Sequence, residues 1–216
     1  MLEGRFVHQS DMRLLLIHGM GRTPLSLALL GRRISRQRHI VRYFGYAAFQ
    51  ESFDQIVGRL VATIRATADQ HPYALIGHSL GGILARAALP ALANMPPRHL
   101  VMLAPPNQAP LLARRLRKHL LYQLMTRDCG GKLTDQAFYE TLPQPTIHTT
   151  IIAGTAGPRG HWSPFGDQPN DGVVAVEETR LGSKTEVILV PSVHTLIMNS
   201  AQVTRTICEL LRDSQK

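Results

Sequence analysis

A serine hydroxyl set between glycines, Gly77-His78-Ser79-Leu80-Gly81, is where residue type and spacing in this chain point most directly to chemistry. A short apolar run, Tyr73 to Ile76, leads into it, and a helix-forming stretch, Ile83 to Leu89, follows. Strand, sharp turn and helix form the context in which a G-x-S-x-G segment lifts its serine over a sheet as a nucleophile. The flanking glycines lack a Cβ, so strand and helix can close around a strained turn. The plain alternative is a glycine-rich turn with an incidental serine. The chemistry expected is acyl transfer, in which the hydroxyl attacks a carbonyl carbon and forms an acyl-enzyme.

A serine hydroxyl needs a base beside it, usually a histidine oriented by a carboxylate. The histidines after Ser79 are His99, His119, His148, His161 and His194. His99 opens a predicted strand, His119 falls on a predicted helix and His148 lies inside a β-run, which are structural positions. His161 is on a loop and stays in reserve. His194, in Pro191-Ser192-Val193-His194, sits between the last predicted strand and the last predicted helix, where such a fold delivers its base. Asp171 stands out among the carboxylates, within Asn170-Asp171-Gly172-Val173-Val174. Asp167 competes, Glu177 and Glu178 are weaker rivals, and a loop aspartate can simply cap its own turn. Donors for a developing oxyanion are expected from the N–H of Leu80, at a helix start, and of Met20 in His18-Gly19-Met20-Gly21. The His18 side chain is expected to brace that loop.

These groups need a scaffold that brings distant segments to one edge. Arg13–Ile17 reads as a buried strand, followed by a helix from Thr23-Pro24 to about Arg33. His39–Phe44 reads as a strand. Ser52 and Gln55 form a capping box for an amphipathic helix with Ile56, Leu60 and Ile64. Further strands are expected at Tyr73–Ile76, His99–Leu103, Thr146–Ala153 and Thr185–Val190, and a last helix from about Thr195 to Arg212. The alternation predicts an α/β fold, a mostly parallel central sheet with helices on both faces. In such a sheet functional groups gather beyond the carboxyl ends of the strands.

His18-Gly19-Met20-Gly21, Gly77-His78-Ser79-Leu80-Gly81-Gly82, Asn170-Asp171-Gly172-Val173-Val174 and His194 together resemble the bacterial triacylglycerol lipase and esterase branch of the α/β-hydrolases. The resemblance spans about Leu14 to Leu211. It implies Asp171 as acid, His194 as base, Met20 and Leu80 as oxyanion donors, and acyl esters, lipid-like ones first, as substrates. Thioesterases and acyltransferases share the elbow and remain the alternative. Calcium-binding members carry an acid soon after the histidine; Thr195–Asn199 offers none, so neither calcium nor any cofactor is expected.

A chain of 216 residues with 44% hydrophobic content suits a single domain, 1–216, with a real core. Cys129 and Cys208 sit in no metal-ligand spacing. With an N-terminus that has no apolar signal core and no apolar run of membrane-spanning length, they predict a cytoplasmic protein. Net charge is +9, which attracts anionic partners. The basic residues, clustered at Arg32-Arg33, Arg36 and Arg38 and again at Arg114-Arg115 and Arg117-Lys118, do not interleave with aromatics as a nucleic-acid module would. Solvated helix faces are the ordinary explanation, and peripheral contact with an anionic inner membrane face is the specific one. A non-catalytic basic interaction protein is the reading from another class.

Residues 105–145, after the fourth predicted strand, form a long insert. Leu112, Leu116, Leu120 and Leu124 recur opposite its basic residues, and Asp128-Cys129-Gly130-Gly131 is expected to end that helix. It reads either as a small cap over Ser79 or as a crossover helix packed on the sheet. The loop 157–169, with Trp162 and Phe165, either walls the site or plugs itself.

Overall fold

The computed structural model describes residues 12–116, 128–182 and 186–213. Six parallel strands, β1 (Arg13–Ile17), β2 (Ile40–Phe44), β3 (Tyr73–His78), β4 (His99–Leu103), β5 (Thr149–Gly154) and β6 (Glu186–Val190), form one sheet in the order β2-β1-β3-β4-β5-β6. The four central strands are buried along almost their whole length, whereas the edge strands β2 and β6 are largely exposed. This explains why the central strands are near-continuous apolar runs.

Helices cover both faces. α1 (Ala28–Ser35) and the C-terminal helix, α6 (Ala201–Asp213), pack against Leu14, Leu16, Ala74, Ile76, Val101 and Leu103. α2 (Phe53–Ala68) and α3 (Leu80–Ala88) pack against the alternate residues Leu15, Ile17, Leu75, Leu100 and Met102. The period of two along each strand thus divides the core between two layers. The capping box of α2 is present: Gln55 N donates to Ser52 Oγ (3.3 Å) and Ser52 N donates to Gln55 Oε1 (2.9 Å).

Three helix boundaries differ from the sequence reading. Thr23 holds the N-cap position but its side chain makes no cap hydrogen bond, and Pro24–Leu27 form a 3-10 turn before α1. The last helix does not begin at Thr195; Ile197–Asn199 form a 3-10 turn, and α6 begins after Ser200, whose Oγ accepts from Val203 N (3.4 Å). Asp128-Cys129-Gly130-Gly131 does not end a helix, because 128–133 are helical. Buried Cys129 and Leu133 anchor this piece in the α2/α3 layer, and Asp128 Oδ2 accepts from Phe53 N (2.8 Å). Such packing outweighs the cost of about 1 kcal/mol per helical glycine.

The insert therefore contributes core. Beyond β4 come α4 (Leu111–Leu116), helical 128–133 and α5 (Gln136–Thr141), with Tyr139 and Leu142 buried in the α2/α3 layer. The predicted positions His119, Leu120 and Leu124, with Arg117 and Lys118, lie outside the described residues, as does the stretch Met1 to Asp11.

Candidate active site

β3 runs straight into the elbow. Ser79 adopts φ 52°, ψ −122° between the last strand residue, His78, and the first residue of α3, Leu80. A non-glycine residue with positive φ is strained and persists only where its surroundings over-determine it. Those surroundings are visible here. Ser79 N donates to Leu103 O (2.8 Å), continuing the ladder to β4, and Gly82 N donates to Ser79 O (2.9 Å). A Cβ on Gly77 would lie 2.5 Å from Gly82 N, and one on Gly81 would collide with the carbonyl oxygens of Ile17 and His18. Both glycines are needed so that α3 can start this close to two strands.

The loop after β1 closes against the elbow. Arg22 N donates to Gly19 O (3.2 Å), forming a turn that carries Met20 and Gly21, the latter at φ 67°. A Cβ on Gly19 would sit 2.8 Å from His78 Nδ1 and 3.2 Å from Ser79 Cβ. Met20 thus belongs to a turn packed on the elbow, and Leu80 is the first residue of its helix. The His18 side chain braces the loop, as expected. Its Nε2 accepts from Tyr46 N (3.3 Å), leaving Nδ1 to donate to Gly19 O (2.8 Å). The ring stacks on Tyr46 with centroids 4.2 Å apart, and burial lowers the His18 pKa.

The other two candidates meet directly. His194 Nδ1 donates to Asp171 Oδ2 at 2.7 Å, and His194 N donates to Asp171 O (2.9 Å). Asp171 is 2% exposed and His194 7%, so this contact is shielded from water. Asp171 Oδ1 accepts from Val173 N (2.9 Å) and Val174 N (2.7 Å). One oxygen of this aspartate therefore caps its own turn while the other accepts from the histidine. Buried Asn170 pins the same loop through Pro158 O, Gln168 O and Gly172 N. A Cβ on Gly154, at the end of β5, would lie 2.8 Å from Asp171 Cβ.

His78 joins the two halves. Its Nε2 donates to His194 O (3.0 Å), and the two rings lie 4.9 Å apart. Burial, followed by the nearby His194, lowers its pKa to about 3, so it is neutral at any working pH. Sequence reasoning missed this role; the bond spans 116 positions and has no local signature.

The rival candidates lie elsewhere. His161 and Asp167 are exposed. His99 begins β4, its Nε2 contacts Thr150 Oγ1 (2.9 Å), and its ring lies 6.0 Å from that of His148, at the amino edge of the sheet. Glu177 pairs with Arg180 at the surface. Glu178 accepts from Leu111 N (2.6 Å) and Ala175 N (2.9 Å), capping α4. Phe165 is buried while Trp162 is 68% exposed, so the 157–169 loop plugs itself with one aromatic and displays the other. Among the described residues no group of three or more His, Cys, Asp or Glu could hold a metal ion.

A fully parallel sheet with a strained serine between β3 and α3, and an aspartate–histidine pair on the loops after β5 and β6, has the architecture of an α/β-hydrolase. A family model described as a thioesterase domain matches residues 13–142, and the chain belongs to that family. A lipase of Bacillus licheniformis, BlEst2 in its mature form, is similar at TM-score 0.76 and 16% identity, over 94% of this chain and 92% of that one. A metagenomic carboxyl esterase is similar at TM-score 0.76 and 15% identity, over 95% and 76% of the two chains. The RedJ thioesterase of the prodiginine pathway in Streptomyces coelicolor is similar at TM-score 0.60 and 16% identity, over 95% and 91%. At these identities the likeness establishes the fold. No curated protein matches the chain significantly.

Proposed function

We propose that this protein is a serine hydrolase cleaving acyl esters, lipid-like ones first, with Ser79 as nucleophile, His194 as base and Asp171 as its orienting acid. The observation that carries the reading is the 2.7 Å bond from His194 Nδ1 to Asp171 Oδ2. It fixes the proton on Nδ1 and leaves Nε2 free to accept one, which is the tautomer a general base requires. His194 Nε2 takes the hydroxyl proton as Ser79 Oγ bonds to the acyl carbon. The N–H groups of Leu80 and Met20 hold the oxyanion. The imidazolium gives its proton to the leaving alkoxide, and water then releases the acyl group with His194 again as base.

Hydrolysis of thioesters is the second reading, favoured by the match to a thioesterase domain over residues 13–142; only the leaving group changes. The lipase and carboxyl esterase neighbours support the ester reading. Ser79→Ala is expected to lower kcat on p-nitrophenyl butyrate on the order of 10⁵-fold or more. Wild-type protein is expected to prefer this ester to butyryl-coenzyme A in kcat/KM. The reverse preference would select the thioesterase, and full activity of Ser79→Ala would remove the mechanism.

The cellular setting we propose is the cytoplasm, with peripheral contact to the anionic inner face of the membrane. Two free, buried cysteines support a reducing compartment; burial pushes the Cys129 thiol up to about 12, too high for a reactive thiolate. Among the described residues no helix is long and apolar enough to cross a membrane. We take 1–216 as a single domain in which the described parts of the insert, 105–116 and 128–145, belong to the connection between β4 and β5.

A further inference from the structure

The segment 12–50 contains seven arginines and neither aspartate nor glutamate. It builds the loop after β1, the 3-10 turn, α1 and β2, all at one edge of the sheet. Within it, Leu29, Arg32 and Arg36 follow i, i+3, i+7 spacing along α1 and so share one face, and Leu25 precedes them in the 3-10 turn. Leu25 is 81% exposed and Leu29 43%, and both arginines are exposed. Leu27, Leu30 and Ile34, on the opposite side, are completely buried. The outward stripe is thus two leucines followed by two arginines.

Its surroundings reinforce the pattern. The 3-10 turn at Ile197–Asn199 packs against both Pro24–Leu27 and α1, and Arg33 donates to Asn199 O (2.7 Å). Leu196, just before that turn and two residues after His194, is 55% exposed. α6, also packed on α1, carries Arg205 and Arg212 with Glu209 and Asp213, so it does not offset the positive charge. Exposed leucines leading into arginines, without interleaved aromatics, suit a surface with an apolar interior and an anionic skin.

We propose that the outward stripe of the 3-10 turn and α1, with Leu196 beside it, is a docking face for anionic phospholipid membranes. The leucines enter the acyl boundary while Arg32 and Arg36 meet phosphate groups. Leu25 lies five residues beyond Met20 and Leu196 two beyond His194, so docking brings the bilayer to the carboxyl edge, where Ser79 lies. The docking face is α1, not α4, which carries Arg114 and Arg115. That the membrane also supplies the acyl substrate rests on the serine-hydrolase reading; the docking itself does not.

The test is co-sedimentation of wild-type and Ser79→Ala protein with vesicles of phosphatidylglycerol and phosphatidylcholine in equal parts, and of phosphatidylcholine alone, across a salt series. Both proteins are expected to bind the anionic vesicles and to be released by salt. Arg32→Glu with Arg36→Glu is expected to weaken binding on the order of tenfold or more. Leu25→Ser with Leu29→Ser is expected to weaken it by roughly fivefold at low salt. Both double variants are expected to keep wild-type circular dichroism and wild-type turnover of p-nitrophenyl butyrate. Arg114→Glu with Arg115→Glu is expected to bind within about twofold of wild type. The proposal is overturned by absent vesicle binding, by stripe variants that bind undiminished, or by dependence on Arg114 and Arg115 instead. Tighter binding to duplex DNA than to vesicles, unaffected by the leucine changes, would likewise overturn it. Vesicle binding by a wild-type protein that hydrolyses no ester would leave the docking face standing and remove the serine-hydrolase reading alone.

Discussion

The candidate site and the root of the insert are held by opposite means. Around Ser79 most of the framework is main chain, with side-chain bonds from His78 and Asn170 added to it: Ser79 N to Leu103 O, His194 N to Asp171 O, Ala156 N to Ser192 O, and glycines at 77, 81 and 154 where no Cβ fits. At the root of the insert, side chains reach across to main-chain groups. Arg86 donates to Pro143 O (2.7 Å) and Leu142 O (3.1 Å), Asn107 donates to Thr179 O (2.7 Å), and Glu178 accepts from Leu111 N. Arg86 is 1% exposed, and burial lowers its pKa to about 10, so it remains a buried cation held by carbonyl oxygens. A site built from backbone can lose a reacting side chain and keep its shape. A root built from side chains loses one anchor with each substitution.

Asp171→Asn tests the first half of that contrast and carries the largest expected effect after loss of the proposed nucleophile, Ser79. An asparagine can still present its oxygen to Val173 N and Val174 N, but its amide then faces His194 Nδ1 as a donor. The imidazole proton would move to Nε2, the wrong tautomer, and kcat should fall roughly 10⁴-fold with little change in Tm. Arg86→Met tests the second half: it strands buried carbonyl oxygens and should cost about 2–4 kcal/mol in urea unfolding, with kcat on a small soluble ester changed less than about fivefold. If Asp171→Asn proved the less stable variant, or Arg86→Met the less active, the contrast would fail.

Acid should weaken the site and the opposite edge together. The pKa of His78 is lowered to about 3 by burial and then His194, and that of His99 to about 4 by burial and then His148. In the unfolded chain both titrate near 6.5, so below that pH the unfolded state binds the extra protons. Stability present above about 6.5 is lost as pH falls toward 4, by about 1.4 kcal/mol per pH unit for each histidine. Urea unfolding at pH 7, 6 and 5 measures that slope, and His99→Gln should flatten it. A stability constant over this range would contradict the buried, neutral state of these rings.

What could be read in advance follows the same division. β1, β3 and β4 were legible because strands covered on both faces must be continuous apolar runs, and His99–Leu103 is found with the expected ends. β5 begins at Thr149, three residues later than the apolar pattern suggests; Thr146 to His148 instead line clefts at the amino edge. The elbow helix begins at Leu80, the helix start expected of it, with Ser79 itself at the N-cap. The meeting of Asp171 with His194 was legible through local motif and position between elements. Arg86, Asn107 and the His78 bond to His194 O were not, since their partners lie tens of positions away and their residue types carry no pattern.

The most direct measurement is labelling with a fluorophosphonate, followed by peptide mass analysis. A single adduct on Ser79, absent in Ser79→Ala and slowed at least a hundredfold in His194→Ala, is the result expected of an activated serine. Labelling at another residue, or at an unchanged rate once His194 is removed, would contradict the assignment of these residues as one catalytic unit.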